Sequence, residues 1–159
     1  MKSFTTASLL GIFSLTLTFL GATREASARH RCYTVSANFT DSITAENCPS
    51  PVGLCTAGTI TDDPFIGGHV LNVVNSITPV GTTGLLSLAT TQTITTEHGT
   101  IVSRGTGLLD PTTGKVTFLE QWPQGTGSYA GVSGALYVNG SPLSATDTAG
   151  EIHGLLCLP

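Results

Sequence analysis

Charge is scarce in this chain. Aspartate, glutamate, lysine and arginine make up 10% of 159 residues, against the roughly 25% of an average domain. Lysine occurs only at Lys2 and Lys115, and there is one tryptophan and one methionine. A chain this apolar and this poor in charge is not a solvated disordered tail. Six basic residues against ten acidic ones, with no basic cluster, exclude nucleic acid and anionic membrane surfaces as the main partner. No heptad or collagen period is present. Beyond the first residues, no apolar run reaches the ~20 residues of a membrane span. The four histidines (His30, His69, His98, His153) show no metal-ligand spacing, and no metal or cofactor is expected. Gly-x-Ser-x-Gly is absent, which speaks against a hydrolase. Gly125-Thr-Gly127 leads into a strand pattern rather than a helix, so it is not a nucleotide loop.

What is present begins with an export signal. Lys2 precedes the uncharged stretch Leu9 to Leu20, and Ala26-Ser27-Ala28 supplies small residues at a cleavage site. Residues 1–28 therefore read as a signal peptide, and 29–159 as one domain that is secreted or periplasmic. Removing the signal leaves Arg29, Arg31, Arg104 and Lys115 against nine carboxylates. Cys32, Cys48, Cys55 and Cys157 all fall in the mature part. An even count in an exported chain reads as two disulfides rather than a zinc site. Three pairings are open; Cys48–Cys55 around a short loop with Cys32–Cys157 across the termini is favoured.

Alternation dominates the mature chain. Tyr33, Val35, Ala37, Phe39, Asp41 and Ile43 share one face, and threonine, serine and asparagine the other. Asp41 shares parity with the apolar residues, which makes it a possible inward acid, although its place near a strand end favours a rim position. Seven more strand-like runs follow, near Leu54–Thr61, Val70–Thr78, Leu85–Thr96, Thr100–Leu109, Lys115–Trp122, Tyr129–Val138 and Glu151–Leu158. Turn residues separate them. With few charges to protect sheet edges, closure into an eight-stranded antiparallel barrel is expected ahead of a two-sheet sandwich. Two turns suggest a register. A three-residue loop Glu97-His98-Gly99 places Thr96 opposite Thr100, and a five-residue loop 110–114 places Leu109 opposite Lys115. The shared inner face is then Leu88, Ile94, Val102, Leu108, Val116, Phe118 and Trp122. It is crossed by one polar row, Gln92–Arg104–Glu120.

The segment Gly125-Thr-Gly-Ser-Tyr-Ala-Gly-Val-Ser-Gly-Ala-Leu-Tyr-Val-Asn-Gly140 resembles a signature of the allene oxide cyclase and dirigent barrel superfamily. Gly105-Thr-Gly-Leu-Leu-Asp-Pro111 and Gly150-Glu-Ile-His-Gly154 look like secreted members of the same group. The resemblance covers the last two-thirds of the chain. It implies an eight-stranded barrel with an apolar lumen, a possible homo-oligomer, and in some members cofactor-free cyclisation or radical coupling. Where many dirigent proteins carry an arginine after the glycine-aromatic turn, this chain reads Val132-Ser133-Gly134.

Two function classes follow. One is a non-catalytic exported barrel that binds a small apolar ligand or serves a structural or surface role; the missing family arginine favours it. The other is a cofactor-free isomerase or cyclase acting on a hydrophobic substrate in the lumen. Arg104 and Glu120 are the candidate catalytic pair, the first to hold a carboxylate or enolate and the second to move a proton. The competing role for them is a satisfied ion pair near the rim. Gln92, Trp122 and Tyr137, with Tyr129, are candidates to line a cavity; plain core packing is the competing role for the aromatics.

Overall fold

The structure, a computed structural model, describes residues 30–159. The expected signal peptide over residues 1–28 lies outside the described residues. The alternating runs form β1 (Arg31–Thr44), β2 (Cys55–Thr61), β3 (Gly68–Pro79), β4 (Leu86–Thr96), β5 (Gly99–Leu109), β6 (Val116–Gly125), β7 (Ser133–Pro142) and β8 (Asp147–Leu158). Each strand pairs antiparallel with the next, and β8 pairs with β1 from Arg31↔Leu158 to Ser42↔Asp147, closing the barrel. Closure leaves no unpaired edge. A chain with few charges has little else with which to protect one.

The meander places the turns alternately at two ends. The turns after β2, β4 and β6 gather at one end with both termini, and there the interior is packed solid. Val35, Ile66, Ile101, Trp122, Tyr129, Val132, Leu136 and Leu156 are all buried in one cluster. Tyr129, on a 3-10 turn at Gly127–Tyr129, closes this end; its hydroxyl donates to the Phe65 carbonyl at 2.6 Å and lies 3.1 Å from Thr96 Oγ1. Asp63 ties the turn after β2 to β1, accepting from the backbone N–H groups of Ser36, Phe65 and Ile66. The turns after β1, β3, β5 and β7 form the opposite end, the mouth. Both favoured disulfides are formed: Cys32–Cys157 joins directly paired residues at the closed end, and Cys48–Cys55 braces the first mouth loop.

Two turns differ from expectation by one residue each. The β4–β5 hairpin pairs Thr96 with Gly99, so its loop is only Glu97-His98. Gly99 is needed for a different reason from a left-handed loop position. At φ 138° it lies against the β6–β7 turn, where a Cβ would sit 2.3 Å from the Thr126 carbonyl oxygen. In the next turn Asp110 and Lys115 form the closing pair, with Asp110 N–H donating to the Lys115 carbonyl at 2.9 Å. The Asp110 carboxylate accepts from Thr112 N and Thr113 Oγ1, so the strands resume with Leu109 opposite Val116.

These two shifts run in opposite senses. Residues on β4 and β6 therefore keep their expected faces, while every residue of β5 is turned over. Ile101 and Ser103 point inward in place of Val102 and Arg104, and Leu108 faces solvent. The β5–β6 ladder is also interrupted between Val102 and Arg104. Opposite that break lies Pro123, which has no N–H to offer a ladder.

The seventh strand also begins later than expected. Gly127 and Gly131 adopt positive φ in the turn, and β7 runs from Ser133 past the expected end at Val138 through Asn139-Gly140-Ser141. Gly140 is there for close packing: a Cβ would lie 2.7 Å from Val116 Cγ2 and 3.2 Å from Phe39 Cζ.

Candidate functional site

Above the packed end the barrel is hollow. A cavity of about 580 Å³ occupies the upper half, within the roughly 300–1,000 Å³ usual for small-molecule sites. Phe39, Ile60, Val70, Val138 and Ile152 belong both to the packed cluster and to the cavity wall, so they form its floor. Val74, Leu88, Leu109, Val116 and Phe118 continue the apolar wall upward, and Pro111, Pro142 and 144–147 line the mouth.

Across this apolar wall runs a polar belt contributed by six consecutive strands. Asp41 on β1 accepts from Thr56 Oγ1 on β2 at 2.5 Å and from Asn72 Nδ2 on β3 at 3.3 Å. Gln92 on β4 donates through Nε2 to Asn72 Oδ1 at 2.9 Å. Glu120 on β6 accepts from Thr90 Oγ1 on β4 at 2.9 Å and from Ser103 Oγ on β5 at 2.8 Å. The carboxylate of Glu120 lies flat over Gly105, its direct partner on β5, where an added Cβ would meet Oε1 at 2.1 Å. The absent side chain at 105 is what lets Glu120 reach both hydroxyls.

Both acids are perturbed. Glu120 is 2% exposed and Asp41 8% exposed. Burial pushes the Glu120 carboxyl above its ordinary value, and the bonds from Ser103 and Thr90 offset only part of that. Asp41 is raised for the same reason, against the bonds from Thr56 and Asn72. Desolvation without a neighbouring cation disfavours the ionised form. Each group therefore keeps its proton to a higher pH than an ordinary carboxyl does.

The five candidate residues end up in three different settings. Glu120 and Gln92 face inward and line the cavity, as expected. Arg104 lies on the exposed outer wall of β5, so the expected row Gln92–Arg104–Glu120 is replaced by Thr90–Gly105–Glu120. The cause is the two-residue hairpin. Trp122 is buried in the closed-end cluster, away from the cavity, and its Nε1 has no partner among the described residues. Tyr137 is 45% exposed on the outer face, paired with His153 of β8, because β7 turns Leu136 and Val138 inward.

Sequence reasoning missed Thr56, Asn72, Thr90 and Ser103. Two of them left a signal on the inward parity of their strands: Asn72, between Val70 and Val74, and Thr90, between Leu88 and Gln92. Asp41, for which a rim position was favoured, is instead buried and faces the cavity, as its parity allowed. Among the described residues no cluster of metal-ligating side chains occurs, and no helix is long and apolar enough to cross a membrane.

The class that fold and site define is a closed, disulfide-braced eight-stranded barrel with a hollow upper half. No family model matches the chain, and no curated protein or solved structure matches it either.

Proposed function

We propose that this is an exported ligand-binding barrel, of allene oxide cyclase–dirigent type, that holds a small apolar molecule in its lumen. One observation carries the reading: an apolar cavity of about 580 Å³ that reaches the surface between the mouth loops. A purely structural barrel of this size would be expected to fill its interior with side chains, as the closed end does. The two disulfides suit an oxidising compartment outside the cytoplasm, which agrees with the export signal read in residues 1–28. A second reading, an isomerase acting in the same lumen, is favoured by the buried carboxyl of Glu120, the candidate proton-transfer group. With Arg104 on the outer wall, that chemistry lacks its expected electrophile, although Asp41 lines the lumen as a second acid.

Titration with the neutral fluorescent dye N-phenylnaphthylamine tests binding. Saturable emission with one site per chain is expected. Val74→Trp, which fills the cavity from β3, should abolish it while the strand signal in circular dichroism persists. Absence of saturable binding to the unaltered protein would overturn the proposal.

A further inference from the structure

The belt uses its hydrogen-bond donors internally. The hydroxyls of Thr56, Thr90 and Ser103 each donate to a carboxylate, and the Asn72 amide donates to Asp41. That last bond orients the chain of amides. A carboxylate oxygen accepts, so Asn72 must turn its NH2 toward Asp41 and its Oδ1 toward Gln92. Gln92 must then turn its NH2 toward Asn72, leaving its own Oε1 with no partner among the described residues. Gln92 is 5% exposed and lines the cavity. A buried acceptor left unpaired is costly unless a ligand or water supplies a donor.

Charge points the same way. Asp41 and Glu120 sit in the wall and Asp147 at the mouth, whereas among the described residues no lysine, arginine or histidine lines the cavity. Arg31 is at the closed end, Arg104 on the outer wall, and Lys115 in an exposed mouth loop. His69 and His98 lie near the closed end, and His153 is on the outer face. An anionic ligand would meet acidic groups with no counter-charge. A cation would meet two carboxyls and the unpaired Gln92 Oε1.

We infer that the lumen binds an apolar amine as its ammonium ion, with the hydrocarbon against the floor and the N–H donors toward the acceptor belt. This rests on the ligand-binding reading above and names the chemistry of that site. Hydrogen bonds to charged groups are the strong ones, and the apolar wall supplies the remaining affinity.

Three probes with one hydrocarbon chain and different heads decide it: decylamine, decanol and decanoate, each displacing N-phenylnaphthylamine from the full mature chain. Decylamine should bind about tenfold or more tighter than decanol at neutral pH, and decanoate should bind weakest. The decylamine preference should shrink as the pH is lowered and the two wall carboxyls take up protons. Asp41→Asn and Glu120→Gln, separately and together, should narrow the ratio of decylamine to decanol affinity toward one. Decanol or decanoate binding as tightly as decylamine would overturn the amine inference and leave the binding reading standing. Failure of the dye and all three probes to bind would overturn both. The comparison of head groups needs only the unaltered protein, so a variant that does not fold leaves the test intact.

Discussion

The placement of Glu120 across Gly105 makes a sharp energetic prediction. Replacing Gly105 by alanine would put a Cβ 2.1 Å from Glu120 Oε1 and 2.2 Å from its Cδ. The clash itself is cheap to relieve, because the carboxylate is the end of a flexible side chain beside an open cavity. The cost is the loss of two bonds, from Thr90 at 2.9 Å and Ser103 at 2.8 Å. Bonds to a charged group contribute about 1.5–3 kcal/mol each. Water in the cavity compensates part of this, and alanine gains about 0.5–1 kcal/mol over glycine inside a strand. Gly105→Ala should therefore destabilise by about 2 kcal/mol. In a Glu120→Ala background the three nearest atoms to the new methyl are gone, and the same substitution should be neutral or stabilising by about 0.5 kcal/mol. Urea melts of the four proteins give a coupling energy, expected at about 2 kcal/mol or more, well beyond the ~0.5 kcal/mol of independent sites. Additive effects would refute the placement of Glu120 over Gly105, and with it the β5–β6 register.

Further outcomes follow from the same geometry. Arg104→Met should change stability by less than about 0.5 kcal/mol, since Arg104 lies on the outer wall; a loss of several kcal/mol in a thermal melt would show it buried. Burial raises the Glu120 carboxyl, so the folded state binds its proton more readily than the unfolded chain does. Its contribution to stability thus falls as pH rises from the ordinary carboxylate value through the raised one. Asp62, Asp110 and Asp147 are lowered by bonds from Asn38, Thr113 and Ser144 and act in the opposite sense. The useful quantity is therefore a difference: the stability of Glu120→Gln minus that of the unaltered protein should grow with rising pH. A difference flat from about pH 3 to pH 8 would refute it. Cys32–Cys157 spans 125 residues and Cys48–Cys55 spans 7, so loop entropy predicts losses of about 5 and about 2.5 kcal/mol when each pair is changed to serine. Denaturant melts that reversed this order would contradict the entropic account.

Much of the fold was legible without coordinates. Alternation located all eight strands, although β7 starts at Ser133 rather than Tyr129. Scarce charge argued for closure, and a closed meander brings its termini together, which made Cys32–Cys157 the natural pair. The inward faces of β1, β4 and β6 were also readable, because Val35, Ala37 and Phe39, or Leu88 and Ile94, stand opposite polar neighbours. Gln92 and Glu120 followed from those faces, and so did the parity of Asp41, although its place near a strand end pointed to the rim.

Tertiary structure alone decided β5 and β7. Ile101-Val102 and Leu136-Tyr137-Val138 are apolar at successive positions, so alternation cannot choose which side chains turn inward. That choice is set by pairing, and in a β-strand a shift of one residue exchanges the two faces. For β5 the shift was set by Gly99 pressed against the Thr126 carbonyl, a contact between turns far apart in the sequence that local turn preference could not anticipate. With that shift Arg104 faces outward and Ser103 inward, where its hydroxyl donates to Glu120.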